Sequence, residues 1–203
     1  MPRRVPALAL TALLTTGGAS ALAQEAGGFV VRGMGALGCE RLVGGLQGEQ
    51  GSDAAARLVA WLSGYVSHAN RAAAEIDDVL PYSNIDGLAT VVARVCANNP
   101  EARTDTVTAS VLATLDPLAV RSQDDVVTVE RAGSRLAIRP SVLEGVQTRL
   151  IARDLLPPGG ADGVYGEETA TALARFQQEA GIDATGLPDA WTVFVLMLDR
   201  QRE

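Results

Sequence analysis

A chain of 203 residues suits one large domain or two small ones. Its formal charge of −7 sets 24 acids against 17 basic residues, every one of them Arg, and aromatic residues make up only 4%. That balance excludes binding to nucleic acid or anionic lipid through bulk charge, and the absence of Lys excludes Schiff-base and SxxK chemistry.

Residues 1–23 read as a secretory signal peptide. Arg3 and Arg4 form a basic start, Val5 to Leu14 a short apolar run, and Ala21-Leu22-Ala23 a small-residue site, with cleavage expected between Ala23 and Gln24. The apolar run falls short of the roughly 18 to 20 residues a membrane span needs, and no later segment could cross a bilayer. The mature chain is therefore expected in the periplasm. Ala36-Leu37-Gly38-Cys39 superficially resembles a lipidation box, but Ala stands where Leu is wanted and the site lies far beyond the apolar run.

Residues 24–115 read as a small helical domain. Cys39 to Leu46 forms a short helix. Ser52 or Asp53 caps a longer one, whose stripe is Ala55, Leu58, Val59, Leu62, Tyr65 and Val66. Asn84 caps a third helix with Ile85, Leu88, Val91, Val92 and Val95 inward. Asn99-Pro100-Glu101 predicts the start of a fourth, carrying Val107, Val111, Leu112 and Leu115. Two cysteines in an exported chain favour a Cys39–Cys96 disulfide over two buried thiols; closing that loop would contribute about 4 kcal/mol.

Residues 116–140 read as a linker carrying a hairpin, because VVTVERAGSRLAI alternates on both sides of Ala132-Gly133-Ser134. Residues 141–203 read as a second helical domain. Ser141 and Glu144 are spaced as a capping box. Helix faces follow at Leu143, Val146 and Leu150; at Thr169, Ala172, Leu173, Phe176 and Ala180; and at Trp191, Phe194, Val195 and Leu198. Gly181 is suited to end the middle helix, and Pro188 with Asp189 to start the last. The fold class expected is mainly α: two small helical domains joined by a short β-hairpin linker.

No catalytic set emerges. His68 is the only histidine, which excludes His-rich metal sites and HExxH zinc chemistry; at a helix end it reads as a capping or packing residue. No metal or cofactor is expected. The acid pairs Asp77-Asp78, Asp124-Asp125 and Glu167-Glu168 are adjacent residues, whereas a glycosidase needs carboxylates facing one another roughly 5 to 9 Å apart. Glu167 and Glu168 suit the positive end of the helix they begin. Asp162-Gly163 reads as a turn. Tyr165 either packs beneath it or offers its ring to a sugar, and Gln177 either anchors a loop or contacts ligand.

The C-terminal segment resembles the three-helix peptidoglycan-binding module of many cell-wall hydrolases and envelope proteins. The resemblance runs from about Leu143 to Leu198. It rests on Val146-Gln147, Leu150, Asp162-Gly163-Val164-Tyr165-Gly166, Thr169, Ala172-Leu173, Phe176-Gln177, Gly181, Thr185-Gly186, Asp189, Thr192 and Leu196. It departs at Leu155-Leu156-Pro157-Pro158, where the family often has Gly followed by aromatics. The resemblance implies peptidoglycan as partner and Asp162, Gly163, Tyr165, Gly166, Thr169 and Gln177 as candidate ligand residues. With five Arg and ten acids between Ser141 and Glu203, that affinity would rest on hydrogen bonds and shape.

The N-terminal segment, about Phe29 to Leu115, is similar to the HdeA-like family of small periplasmic helical proteins, some of them acid-stress chaperones. The residues are Gly33-Met34-Gly35, Cys39, Trp61-Leu62-Ser63-Gly64-Tyr65, Ser67, Asn70, Asp86-Gly87 and Cys96-Ala97-Asn98-Asn99-Pro100. This resemblance also implies a bonded Cys39 and Cys96. Together the two imply a non-enzymatic periplasmic protein tethered to the wall by its C-terminal module. The alternatives are an acid-stress chaperone with periplasmic clients, or an adaptor whose module binds an envelope protein.

Overall fold

The computed structural model describes residues 29–121 and 124–198. The expected signal segment and its cleavage point lie outside these residues. A 3-10 turn over Gly33–Ala36 leads into α1 (Cys39–Gln47), followed by α2 (Gly51–Ala72), α3 (Ile85–Ala97) and α4 (Thr104–Leu115). A second 3-10 turn, Asp116–Leu118, precedes β1 (Val127–Arg131) and β2 (Ser134–Ile138). Then come α5 (Pro140–Ile151), α6 (Glu167–Glu179) and α7 (Ala190–Leu198). The described chain is mainly helical with one antiparallel hairpin, the fold class expected.

Local signals placed some helix starts correctly. Asn84 caps α3, its side chain accepting from the Gly87 N–H. Others moved, for identifiable reasons. α2 begins at Gly51, ahead of the expected Ser52 or Asp53 cap. α4 begins at Thr104, not at Asn99-Pro100, because the intervening backbone is used elsewhere. Cys39 N–H donates to Ala102 C=O at 2.8 Å, and Glu40 N–H to Pro100 C=O at 3.2 Å. The Thr104 N–H and hydroxyl both donate to Leu37 C=O, each at 3.0 Å. Asn99 faces backward, its amide donating to Val95 C=O at the end of α3.

Ser141 does not cap α5; it lies in the first turn. Asp124 supplies the acceptor, taking the Ser141 N–H at 2.8 Å and the Ser141 hydroxyl at 3.0 Å. Pro188 lies before α7, and the cap is Asp189, whose carboxylate accepts the N–H groups of Trp191 and Thr192, both at 3.0 Å.

The Cys39–Cys96 disulfide forms, with 4.8 Å between Cα atoms and both residues fully buried. It joins the start of α1 to the end of α3. The hairpin pairs Arg131 with Ser134 across Ala132 and Gly133, both at positive φ, a two-residue turn that matches strand twist. Val129 and Ile138 face inward with Leu143 and Leu187.

A main core runs through all seven α-helices of the described residues, and the smaller cluster beneath the hairpin adjoins it within one compact unit from Val31 onward. The element that unites it is α7. Its sequence, AWTVFVLML, has almost no polar face, so it must be buried on several sides. It packs on α3 and α4 as well as on α5. At the α3–α7 crossing the helices come so close that a Cβ on Gly87 would lie 2.9 Å from that of Ala190. The Tyr82 hydroxyl donates to Ala190 C=O at 2.9 Å beside it. The N-terminal helices and the C-terminal module are thus one packed body across the hairpin segment.

Candidate functional site

Two buried glutamines build the loop face of the C-terminal module. Helical spacing sets Gln147 of α5 beside Val146 and Leu150, with no exposed surface. Its Oε1 accepts the N–H groups of Asp162 at 3.0 Å and Gly163 at 2.8 Å. Its Nε2 donates to Asp162 Oδ1 and Val164 C=O, both at 2.9 Å, and to Thr169 Oγ1 at 3.0 Å. One side chain therefore folds the first loop onto the first turn of α6.

Gln177 repeats the device one helix later, also fully buried. Its Oε1 accepts the Gly186 N–H at 2.7 Å. Its Nε2 donates to Leu187 C=O at 3.0 Å, Thr192 Oγ1 at 2.9 Å and Thr185 Oγ1 at 3.1 Å. In both cases a glycine at φ +71° precedes the bonded threonine by six residues, Gly163 to Thr169 and Gly186 to Thr192. Both glycines are doubly required. A Cβ on Gly163 would lie 2.9 Å from Pro140 O, and one on Gly186 2.8 Å from Ala170 O.

Tyr165 links the two loops, its half-buried ring packing inward and its hydroxyl donating to Gly186 C=O at 2.8 Å. Burial raises its pKa. Arg131 reaches over from the end of β1 and grips Glu167 with two bonds of 2.9 and 3.0 Å. That pairing holds the Glu167 carboxyl below its ordinary range. The Asp162 carboxyl is lowered too, first by the Val164 N–H and then by the Gln147 amide. At Asp124, partial burial pushes upward, but the Ser141 N–H and hydroxyl, with Arg139, prevail and the net shift is downward.

The six candidate residues are thus brought together but differ in what they present. Gly163, Thr169 and Gln177 are buried framework. Asp162 and Gly166 are exposed and Tyr165 half-exposed, and beside them Val164 is 62% exposed, an apolar tip in a polar rim. The roles of Gln147 and Arg131 were not foreseen. Gln147 had a signal, its Gly163–Thr169 spacing matching that of Gly186–Thr192, whereas nothing in the hairpin sequence marks Arg131. Among the described residues, no group of three His, Cys, Asp or Glu is placed to hold a metal ion. No described helix is long and apolar enough to cross a membrane.

Residues 141–196 match the family model described as "Putative peptidoglycan binding domain". A probable N-acetylmuramoyl-L-alanine amidase of Bacillus licheniformis is 48% identical over 48 residues, 23% of this chain and 14% of that protein. The chain thus spans about one seventh of that relative's length. No solved structure matches the chain significantly. The segment 141–196, with its two glutamine-held loops, is supported as a peptidoglycan-binding domain, which points to peptidoglycan as a partner and to the cell envelope as the place of action.

Proposed function

We propose that this is an exported, non-catalytic periplasmic protein that attaches to peptidoglycan through the loop face of its C-terminal module. The four N-terminal helices form an HdeA-like interaction domain. The observation that carries the reading is the family match over 141–196 coinciding with a pre-formed face of exposed Asp162, Val164 and Gly166. Its loops are fixed by buried glutamines, so little ordering entropy is lost when a ligand docks.

The test is retention of the full mature chain on insoluble sacculi at low and high salt, with the supernatant assayed for released muropeptides. Salt-tolerant retention, reduced by Val164→Asp at unchanged Tm, is expected, with no muropeptide released. Absence of retention overturns the attachment and turns the search to an envelope protein as partner. Release of muropeptides overturns the non-catalytic reading.

A second reading, an acid-responsive chaperone, is favoured by the positions of Asp124, Asp162 and Glu167. All three have lowered pKa values; Asp124 and Glu167 lie at the seam between the hairpin segment and the module, through Ser141 and Arg131, and Asp162 braces the first loop inside the module. The stability they contribute is present above their unfolded pKa values and lost as pH falls through the folded ones, a window below about pH 4. Acid would loosen that seam and free apolar surface for unfolded clients.

A further inference from the structure

Beyond the loop face, a cleft of about 300 Å³ opens where α3, the segment 81–84, β2 and the start of α7 meet. It begins at Pro188, directly after the second glutamine-held loop, and it lies within the range of small-ligand sites. Resting on the wall-binding reading above, we propose that this cleft binds a short peptide of small apolar residues through its free terminal carboxylate, as wall stem peptides carry.

Three features select that ligand. The floor is apolar, formed by buried Ile138, Val142 and Val193. One wall is β2, a strand of a two-stranded sheet, so its edge away from β1 has no strand partner. The Ser83 hydroxyl donates to Ala137 C=O at 2.8 Å, which ties the segment 81–84 to β2 and fixes this wall of the cleft. A short peptide can lie along this fixed wall while its methyl groups reach the floor.

The third feature is charge. Arg94 of α3 stands at the mouth, its guanidinium 5.2 Å from the centre of the Trp191 ring, and no described carboxylate lies within ion-pair distance of it. Stacking orients the guanidinium fork before a ligand arrives. Asp86 and Asp189 line the same cleft, and Asp189 already caps α7. They repel a second negative group, so the cleft takes one carboxylate, at the Arg94 end.

Isothermal titration of the full mature chain with diacetyl-Lys-D-Ala-D-Ala, its C-terminal amide and chitotetraose tests this, alongside sacculus retention. The acid is expected to bind at least about 10-fold more tightly than the amide, the worth of one charge-assisted contact. Arg94→Gln should erase that difference while lowering Tm by no more than a few degrees, about the worth of the exposed Trp191 stacking, and Arg94→Lys should restore part of it. Equal binding of acid and amide, indifference to Arg94→Gln, or chitotetraose binding that depends on Arg94 overturns the proposal. If sacculi are retained but the tripeptide does not bind, the cleft proposal falls and the wall reading stands. If the tripeptide binds with Arg94 dependence but sacculi are not retained, the reverse holds.

Discussion

Replacing Gln147 by Met keeps the side-chain volume but removes every bond that folds the first loop. The N–H groups of Asp162 and Gly163 and the C=O of Val164 lose their common partner. Unsatisfied buried groups cost about 1 to 3 kcal/mol each, partly relieved here by water, so a net loss of ~3 kcal/mol is expected. Thermal denaturation should show Tm falling by roughly 6 to 12 °C. Gly186→Ala should cost about as much by another route, since it combines left-handed strain with a clash against Ala170 O. Tyr165→Phe, which deletes one hydroxyl contact to Gly186, should cost only about 1 kcal/mol. Glu167→Gln should shift Tm slightly and only at low salt, because its partner Arg131 holds an exposed carboxylate that salt screens.

Among the elements, α1 and α3 depend on the Cys39–Cys96 bond. Converting both cysteines to Ala should lower unfolding free energy by about 4 kcal/mol, read from denaturant midpoints, with the larger effect expected under oxidising conditions. Helix faces were legible in the sequence because burial imposes a 3.6-residue period. Leu88, Val91 and Val92 in α3, and Thr169, Leu173 and Phe176 in α6, are buried as that period requires. Starts were less legible where long-range partners override local capping. Asn99 looks like a cap, yet the backbone after it serves α1; Ser141 looks like a cap, yet Asp124 from the preceding segment does that work. The loop face was half legible for the same reason. The residues Asp162 to Thr169 stood out as a group, but one sequence cannot say which of them turn inward.

At the scale of the molecule, α7 packs the N-terminal helices and the C-terminal module into one body, which predicts cooperative unfolding. Gly87→Leu would drive a side chain into Ala190 and part α3 from α7. The expected result is a lower Tm for the whole chain, with a single transition seen by far- and near-ultraviolet circular dichroism alike. Two separated transitions would contradict this. Acid titration should show stability falling modestly below about pH 4, at the seam held by Asp124 and Glu167 and in the loop braced by Asp162, which hydrogen exchange can localise to residues 124–141 and 162–169. The tight α3–α7 crossing has a mechanical corollary. A module on a loose linker lets its cargo tumble, whereas among the described residues the α3–α7 crossing packs the C-terminal module directly on the N-terminal helices. On the wall-binding reading proposed above, mooring the C-terminal loops would hold the exposed side of α2 at a fixed attitude to the wall. Whatever meets that side would then have to approach from one direction, so such an anchor would govern orientation as well as address.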